Sequence, residues 1–412
     1  MQVVVINTGT ELLLGDVLNT HLRFIAREIF ALGLRIDRQV TVPDGDAIRD
    51  AIEDLREADI IFITGGLGPT TDDITREITA ELFGLKLVHD PNILQAIQER
   101  AASRGFRLTD RVARQADVPE GATVLPNAHG SAPGLYLAAD EAQQRPHLFL
   151  LPGPPRELHP MFVDSVLPIL RRIVPDAAAA ERRLFRIAGI GESLVEEAVG
   201  EQLLALPGLE LGYCARPGEM DLRLIGEASV LDKAERIVRQ KLGTAIFSTD
   251  GSDLEAAVVK LLTERKQTLA IAESCTGGYL AHRITNVPGA SAVFLGGCVT
   301  YSNEAKAAML GVEPALIDGH GAVSKQVVQA MAEGARANTN SDFALATTGI
   351  AGPAGGSEEK PVGTVFIALA ARDRPISVQK RFFPDDRPTF KELTTQAALE
   401  MLRHRLLEPR ET

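Results

Sequence analysis

Between residues 1 and 173, short continuous apolar runs alternate with longer stretches that have a helical period. The runs at 3–6, 60–63 and 148–151 are typical of strands covered on both faces of a sheet, and residues 36–42 predict one more strand. Apolar residues three or four positions apart predict helices at 16–34, 46–57, 74–84, 92–104, 109–116 and 155–173. This order predicts an α/β domain with a doubly wound, mainly parallel sheet, which binds ligands at the carboxyl ends of its strands.

The stretch from 174 to 250 has a different pattern of apolar and polar residues. Its alanine-rich start at 175–180 resembles a linker. Strand-like runs at 183–187, 209–213 and 221–224 and helical periods at 193–204 and 231–242 predict a small α+β module. The Gly-Ile-Gly-Glu-Ser segment at 189–193 predicts a turn with Ser193 as helix N-cap, and nucleotide binding by its two glycines is the weaker alternative.

A third domain is predicted at 251–412, so that the chain divides into domains at 1–173, 174–250 and 251–412. A helix at 254–262 precedes the apolar strand that ends near residue 271, and further strands are predicted at 293–300 and 343–346. Two antiparallel strands at 363–371 and 376–382 and a closing helix at 388–407 complete an α/β pattern whose strand order stays open.

The composition limits the kinds of partner and site that the chain can have. The 412 residues are 45% hydrophobic and 24% charged, proportions of an ordinary globular protein. The net charge of −12 opposes non-specific binding to nucleic acid, so we expect no direct nucleic-acid contact. The cysteines, Cys214, Cys275 and Cys298, are too far apart to indicate a disulfide framework or a zinc cluster. Nothing near Cys275 marks it as a thiolate, so it ranks below Ser274 as a nucleophile.

The sequence opens without a basic segment followed by a long apolar stretch, and no apolar run is long enough to cross a bilayer. We therefore expect a cytoplasmic protein with no membrane partner. The apolar content permits a homodimer, and that is the assembly we expect.

The segment Glu-Ser-Cys-Thr-Gly-Gly at 273–278 is the most informative of the third domain. It places Ser274 at a strand-to-helix corner, where free N–H groups and the helix dipole suit an anion or an oxyanion. Gly277 and Gly278 carry no side chain, so a ligand can approach the backbone. Ser274 is thus a candidate nucleophile. The alternative is that Ser274 or Thr276 only caps the helix.

A serine becomes a nucleophile when a base removes its proton, and no His-Asp pair is placed for that task. The strand at 293–300 leads to Tyr301, and a helix that starts at 302 or 303 puts Lys306 about one turn in. Both side chains can then point at the rim that holds Ser274. A lysine there can act as the base if burial lowers the pKa of its amine. The alternatives are an ordinary strand-end tyrosine and a solvated helix lysine.

Three loops lie at predicted strand ends of the N-terminal domain. The first, at 7–11, contains Thr10 and Glu11, and the third is Pro-Gly-Pro-Pro-Arg-Glu at 152–157. The second, at 64–75, is the most specific. Its glycines let backbone amides approach a phosphate: Gly65, Gly66 and Gly68.

Asp72 and Asp73 follow these glycines at once. Carboxylates beside a phosphate loop usually reach the ligand through a divalent cation, and Mg²⁺ is the ion we expect. The alternative is that the two acids start the next helix, where the dipole favours them. Asp44, on a Pro-Asp-Gly turn, lies on the same predicted rim, although by itself it is typical of a turn.

The segments at 65–69 and 72–75 resemble the nucleotide loop of the molybdopterin-adenylyltransferase-like fold, and those at 127–134 and 152–155 resemble its CinA branch. This resemblance implies an acidic pair at Asp44 and Asp73 and a metal-dependent ADP-ribose pyrophosphatase. The middle domain of the CinA family is KH-like. Because residues 174–250 show no basic Gly-x-x-Gly loop, RNA binding is not implied.

The segments at 272–278, 301–306 and 348–353 are similar to the C-terminal domain of the CinA family, the nicotinamide-nucleotide amidase. The family reaction hydrolyses the carboxamide of nicotinamide mononucleotide and gives nicotinate mononucleotide and ammonia, without a cofactor.

The resemblance also implies roles for individual residues. The serine, tyrosine and lysine of the family fall on Ser274, Tyr301 and Lys306. Thr348, with Gly349 beside it on a Thr-Gly loop, becomes a candidate contact for the ligand or oxyanion, and a family arginine near the last helix corresponds to Arg387.

Together the two resemblances cover nearly the whole chain and imply a bifunctional enzyme of pyridine-nucleotide salvage. One alternative keeps the amidase and makes the N-terminal domain a non-catalytic nucleotide-binding module. Another is a competence or recombination adaptor, which the name of the family suggests. The acidic charge and the lack of basic clusters with aromatic residues argue against direct DNA contact.

Overall fold

The computed structural model describes residues 1–103, 105, 108–174, 181–372 and 374–409. Two compact units divide the chain, Met1–Ala179 and Ala180–Thr412. Both combine helices with sheets, so the α/β fold class is confirmed. The predicted linker at 175–180 lies outside the described residues, as does residue 104 at the end of one predicted helix.

Strands and helices alternate along much of the first unit. In chain order its elements are β1 (Val3–Thr8), α1 (Thr10–Leu14), α2 (His21–Phe30), β2 (Ile36–Val42), α3 (Ala47–Asp54), β3 (Ile60–Thr64), α4 (Thr75–Leu82), β4 (Leu87–His89), α5 (Pro91–Ser103), α6 (Asp110–Ala113), β5 (Asp117–Pro119), β6 (Thr123–Leu125), β7 (Gly134–Leu137), β8 (His147–Leu151), α7 (Pro155–Met161) and α8 (Leu167–Ile173).

The main sheet of this unit has the strand order β2-β1-β3-β8-β7-β6. The first four strands are parallel, and β7 and β6 are antiparallel to their neighbours. Every residue of β1 and β3 is buried, as their continuous apolar sequences predict. The carboxyl ends of β1, β3 and β8 therefore meet at one edge, where the three predicted loops begin.

Several predictions for this unit were wrong. Residues 16–20 are not helical, and Leu18, which falls within the helix predicted at 16–34, is 84% exposed. The chain enters α2 only after Asn19, whose side chain accepts a hydrogen bond from the His21 amide. Thr10 and Glu11 lie in the first turn of α1 instead of in a loop. The short strands β4, β5, β6 and β7 were not predicted.

The second unit begins with the module predicted at 174–250. Its elements are β9 (Glu181–Ala188), α9 (Glu192–Leu204), β10 (Glu210–Arg216), β11 (Glu219–Gly226), α10 (Ala228–Leu242) and β12 (Ile246–Ser248). The strands form an antiparallel sheet in the order β10-β11-β9-β12. The N-cap of α9 is Gly191, which provides no side-chain cap, so Ser193 is not the N-cap that we predicted.

The remainder of this unit carries the chemistry of interest. It consists of α11 (Leu254–Arg265), β13 (Leu269–Glu273), α12 (Tyr279–Thr285), β14 (Phe294–Val299), α13 (Asn303–Leu310), α14 (Pro314–His320), α15 (Lys325–Thr339), β15 (Phe343–Gly349), β16 (Thr364–Ala371), β17 (Ser377–Phe382) and α16 (Arg387–Leu407).

Its sheet has the order β14-β13-β15-β16-β17, with the first three strands parallel and the last two antiparallel. One hydrophobic cluster joins α11, α12 and α16 to the sheet, and a second joins α13, α14 and α15 to it. The carboxyl ends of β13, β14 and β15 thus converge between helices on both sides. None of the described helices is long and apolar enough to span a membrane.

Candidate active site

Strand β13 carries the chain to Ser274 at the carboxyl edge of this sheet. All five residues of β13 are buried, and the strand lies between β14 and β15. The Ser274 amide donates to the carbonyl oxygen of Thr347 on β15 at 3.0 Å, which ties the residue to its neighbouring strand. The residue is 8% exposed and lines a pocket of about 220 Å³. A hydroxyl group is therefore held at a fixed place inside a cleft.

Lys306 reaches Ser274 from α13. Ser302 caps this helix, because its hydroxyl accepts a hydrogen bond from the Ala305 amide at 3.1 Å, and the cap places Lys306 in the first turn as predicted. The Lys306 Nζ donates to the Ser274 Oγ at 3.2 Å and to the carbonyl oxygen of Thr300 at 2.9 Å. Within the described part of the chain these two neutral oxygens are its hydrogen-bond partners.

The surroundings of Lys306 favour its neutral form. The residue is 1% exposed. Burial lowers the pKa of its amine below the ordinary value of 10.5, although the neighbouring Cys275 and Glu304 oppose this effect. A lysine with a lowered pKa supplies more free amine near neutral pH than a surface lysine, and a general base needs that form.

The N-terminus of α12 differs from the prediction. Ser274 lies four residues before the N-cap, Gly278, and the first N–H groups of the helix are not free. The Glu273 carboxylate accepts hydrogen bonds from the amides of Gly278 and Leu280 at 3.0 Å and of Ala281 at 2.8 Å. A buried acid of the chain itself thus occupies the place we had expected to be open to an anion.

Two amides of the same turn stay available. The Gly277 amide donates to the Ser274 carbonyl oxygen at 3.1 Å, whereas those of Cys275 and Thr276 donate to no other residue that the structure describes. They follow the candidate nucleophile directly, so an oxyanion formed there would meet N–H donors from the turn instead of from the helix end.

Tyr301 and Arg387 form another wall of the pocket. The Arg387 guanidinium donates to the Tyr301 Oη at 2.7 Å and to the Gly352 carbonyl oxygen at 2.9 Å. Tyr301 is 60% exposed, and its hydrogen-bond partner is Arg387, not Ser274 or Lys306. Because the tyrosine oxygen accepts in this pair, its own proton is free for a ligand.

Thr348 and Gly349 complete the pocket at the end of β15. The Thr348 hydroxyl donates its proton to the carbonyl oxygen of Ala322 at 2.9 Å, so toward a ligand it can only accept. This suits the NH₂ group of a carboxamide better than an oxyanion. Cys275 is buried, and burial raises the pKa of its thiol to about 12, so the group stays protonated.

The first unit has a pocket of about 370 Å³ at the edge where the loops after β1, β3 and β8 meet. Its walls include most of the residues predicted for this site, namely Glu11, Asp44, Gly65, Gly66, Gly68, Asp72 and Asp73, and also Glu157. Thr10 is not part of the wall; its amide donates to the Asp44 carboxylate at 3.1 Å and so ties that turn to α1.

The Gly-rich loop is shaped by its own packing. Gly65 and Gly66 have φ angles of 102° and 67°, and side chains there would collide with Thr8 and Thr75. Asp73 accepts hydrogen bonds from the amide and hydroxyl of Thr70, and α4 begins only at Thr75. The two aspartates therefore belong to the loop and do not start the helix.

The chain matches three family profiles: the probable molybdopterin binding domain at 4–172, the damage-inducible protein CinA KH domain at 182–248 and the CinA C-terminal domain at 251–406. It is 44% identical to a CinA-like protein of Akkermansia muciniphila over 97% of this chain and 96% of that protein. The chain belongs to the CinA family. A competence-damage inducible protein of Moorella thermoacetica is 45% identical over 98% of both chains.

Among solved structures, the competence/damage inducible protein CihA from Agrobacterium tumefaciens is 41% identical and covers 40% of this chain and 99% of its own, with a TM-score of 0.37. This chain is a CinA-family competence/damage-inducible protein with a molybdopterin-binding-like N-terminal domain and a KH-like middle domain.

The acidic pocket of this CinA chain has oxygen donors that suit a divalent metal held together with a phosphate ligand. Within the described residues, no three His, Cys, Asp or Glu side chains are grouped closely enough to hold an ion by themselves. Mg²⁺, however, is usually held by one or two carboxylates together with phosphate oxygens and water. The oxygen donors of Asp72 and Asp73 fit that pattern.

Several residues of the CinA pocket were not singled out from the sequence. Asn303, Ala322 and Val323 line it. Because no helix or strand was predicted for 312–340, the sequence did not place Ala322 and Val323 near the site. No role was predicted for Glu273, although it is the first residue of the segment at 273–278. The signal that could have identified it is a charged residue at the end of an apolar strand, directly before a Gly-rich turn.

Replacing Glu273 with glutamine should loosen the start of α12, because the amide offers one acceptor oxygen where the carboxylate offers two. We expect a loss of about 1–3 kcal/mol in local stability, seen as faster hydrogen exchange of the Gly278, Leu280 and Ala281 amides. Glu264→Gln, on the exposed face of α11, is the matched control. Unchanged exchange at all three amides in Glu273→Gln would show that the carboxylate does not hold this turn.

Proposed function

We propose that the C-terminal domain is an amidase that hydrolyses nicotinamide mononucleotide to nicotinate mononucleotide and ammonia. The observation that carries the proposal is the hydrogen bond of 3.2 Å between the buried Lys306 amine and the Ser274 hydroxyl. A buried lysine with no acidic partner at hydrogen-bond distance is a poor structural choice, since burying an ammonium is costly. It is a good choice for a base beside a serine.

In the proposed reaction, the neutral Lys306 amine takes the proton of the Ser274 hydroxyl while Oγ bonds to the carboxamide carbon. The amides of Cys275 and Thr276 hold the resulting oxyanion. The C–N bond then breaks, ammonia leaves with the proton carried by Lys306, and an ester remains on Ser274. Water activated by the same amine cleaves the ester, which restores the serine and releases the acid.

The other walls of the pocket suit a carboxamide substrate. The Thr348 hydroxyl is oriented to accept an N–H of the amide, which would turn the carbonyl carbon toward Ser274. The free hydroxyl proton of Tyr301 can form a hydrogen bond to the substrate, while Lys306 carries the proton that the leaving nitrogen takes. Arg387 holds Tyr301 in place and adds positive charge, which favours an anionic nucleotide over a neutral amide.

The test is ammonia release from nicotinamide mononucleotide by the purified chain, with free nicotinamide as the comparison substrate. Stoichiometric appearance of nicotinate mononucleotide identifies amide hydrolysis. Cleavage of the glycosidic bond instead, with release of nicotinamide, would point to a different reaction class.

We also propose that the N-terminal domain hydrolyses ADP-ribose to AMP and ribose 5-phosphate. The observation that favours it is the acidic wall of the pocket, which combines Asp44, Asp72, Asp73 and Glu11 with a Gly-rich loop. Asp72 and Asp73 would hold a divalent cation such as Mg²⁺, which would offset the charge of the pyrophosphate. The Gly-rich loop and its neighbours would position the phosphates, and Glu157, whose carboxylate accepts a hydrogen bond from the Asn127 side chain at 2.9 Å, also lines the pocket.

Asp73→Asn should lower ADP-ribose hydrolysis by about 10- to 100-fold and leave ammonia release from nicotinamide mononucleotide unchanged. The reason is that the substitution removes one anionic oxygen from the acidic wall while Thr70 keeps an acceptor. Hydrolysis is measured as AMP formed with and without Mg²⁺, with Asp164→Asn, an exposed residue of the same unit, as control. Equal rates of ADP-ribose hydrolysis by Asp73→Asn and Asp164→Asn would show that Asp73 does not take part in the reaction.

Measurements on the same wild-type chain distinguish a non-catalytic role of this domain from hydrolysis. Calorimetric binding of ADP-ribose without any AMP formation in the wild type would favour a nucleotide-binding module. For the adaptor alternative, a salt-dependent shift of DNA mobility by the purified chain would be required. We further propose a cytoplasmic homodimer that acts on small nucleotides and makes no direct contact with nucleic acid.

A further inference from the structure

Two cations lie at the start of α16, one in the wall of the Ser274 pocket and one beside the turn that follows Ser274. Arg387 is the first residue of the helix, and Lys391 lies one turn later on the same face. The Lys391 Nζ is 3.7 Å from the point where a Cβ on Gly277 would stand, and 5.9 Å from the centre of the Tyr279 ring. The amine is therefore held over the glycine turn.

The two cations differ in how they are engaged. Arg387 donates to the oxygens of Tyr301 and Gly352, so its place in the pocket wall is fixed. Lys391 has no hydrogen-bond acceptor and no carboxylate partner among the residues that the structure describes. An ammonium group placed against a ring face keeps its three N–H donors available for a ligand.

The glycine turn beside this amine begins three residues after the candidate nucleophile and lies outside the residues that line the pocket of about 220 Å³. Gly277 and Gly278 have φ angles of 60° and 92°, a conformation that favours glycine, so the turn stays without side chains. The Gly277 amide donates a hydrogen bond to the Ser274 carbonyl oxygen at 3.1 Å. Apart from the chain neighbours of Gly277, the Lys391 Nζ is the one heavy atom within 4 Å of the added Cβ position in the described structure.

Resting on the amidase function, we propose that Lys391 and the turn at 277–278 form the subsite for the 5′-phosphate of the nicotinamide nucleotide. With the carboxamide at Ser274, the ribose extends the substrate away from the nucleophile, and the phosphate needs a cation on the outer side of the pocket. A compact ammonium over a bare backbone is a common phosphate partner. The subsite selects the nucleotide over the nucleoside and free nicotinamide.

A second lysine near the pocket is the rival location. The Lys360 Nζ lies 3.6 Å from the Cβ position of Gly321, on the side of Ala322 and Val323. It already donates to the His320 carbonyl oxygen at 3.0 Å. Among the described residues Lys391 has no such acceptor, so the geometry favours Lys391 over Lys360.

The experiment compares kcat/KM for nicotinamide mononucleotide and for nicotinamide riboside, which lacks the phosphate. Lys391→Ala should lower the value for the nucleotide by about 10- to 100-fold, mostly through KM, and leave the riboside unchanged. Lys391→Arg should recover most of the loss. The matched control is Lys380→Ala, since the Lys380 Nζ also lies 5.9 Å from an aromatic ring centre, that of Phe366.

Inhibition by ribose 5-phosphate gives a second readout that does not depend on the riboside. Its inhibition constant should rise in Lys391→Ala and stay as in the wild type in Lys360→Ala. An equal loss on nucleotide and riboside, or a phosphate-selective loss in Lys360→Ala, would overturn the proposal. Failure of the amidase itself looks different, because the wild type then releases no ammonia from either substrate.

Discussion

Ser274→Ala should lower kcat for ammonia release from nicotinamide mononucleotide by about 10⁴-fold or more. The substitution removes the one atom that is proposed to bond to the carboxamide carbon, whereas the backbone of the turn keeps its hydrogen bond to Thr347. Affinity for the product, nicotinate mononucleotide, should change little. Initial rates of ammonia release and calorimetric titration with the product measure the two effects separately.

Cys275→Ala is the matched control for this loss. Its thiol stays protonated because burial raises its pKa to about 12, so we expect activity of the same order as the wild type. A Ser274→Ala variant that keeps more than about one hundredth of the wild-type rate would contradict the serine as nucleophile. Loss of activity in a folded Cys275→Ala variant, together with its retention in Ser274→Ala, would transfer the role to the thiol.

Lys306→Ala should lower kcat by about 10²- to 10⁴-fold, because the serine loses the base that takes its proton. Lys306→Arg should be as poor as Lys306→Ala. A guanidinium keeps the positive charge and the donors but cannot release its proton in this range of pH. Initial rates of the folded variants decide between a base and a merely positive residue.

The pH profile checks the same assignment without relying on a variant. The free amine of Lys306 increases as pH rises, so kcat/KM should increase with pH on an ionisation whose pKa is below 10.5, the ordinary value for lysine. Above that pKa the rate should reach a plateau. The rising limb should be absent in Lys306→Ala. If the rising limb persists in Lys306→Ala, or if Lys306→Arg has nearly wild-type activity, another group is the base.

The parts of the fold that local pattern determines were predictable from the sequence. Apolar runs such as 60–63 became fully buried strands, and the polar start of α13 at Ser302 fixed where its first turn begins. The strand predicted at 293–300 and the helix start predicted at 302 or 303 together placed Lys306 toward Ser274, and the Lys306 Nζ and the Ser274 Oγ lie 3.2 Å apart. Tertiary context decided the rest: strands of three or four residues, such as β5 and β6, owe their extended form to pairing and carry little periodicity.

The candidate site was predictable to a similar degree. The sequence indicated which loops and strand ends carry chemistry, and the structure brings Ser274, Tyr301, Lys306, Thr348 and Arg387 to one pocket. It did not indicate that Glu273 fills the N-terminus of α12, since this acid folds forward over five to eight residues, outside the usual capping patterns. Nor did it indicate the acceptor of the Thr348 hydroxyl, which depends on Ala322 in a distant loop.

The two glycine-rich turns were correctly located, but their glycines are used differently from what a sequence suggests. In the first unit, Gly65 and Gly66 are required by contacts with Thr8 and Thr75. In the second unit, a Cβ on Gly277 or Gly278 would make only ordinary contacts, with Lys391 and Val299, and the positive φ angles of the two residues are what favours glycine. Sequence shows where the chain uses glycine, whereas only the packed structure shows whether a close neighbour or the backbone conformation is the main reason.

The most direct test of the account is ammonia release from nicotinamide mononucleotide by the folded, full-length wild-type chain. We expect one ammonia and one nicotinate mononucleotide for each substrate consumed, without added metal, and little release from free nicotinamide. No ammonia from a chain that is folded by circular dichroism would contradict the proposal that Ser274 and Lys306 form an amidase site.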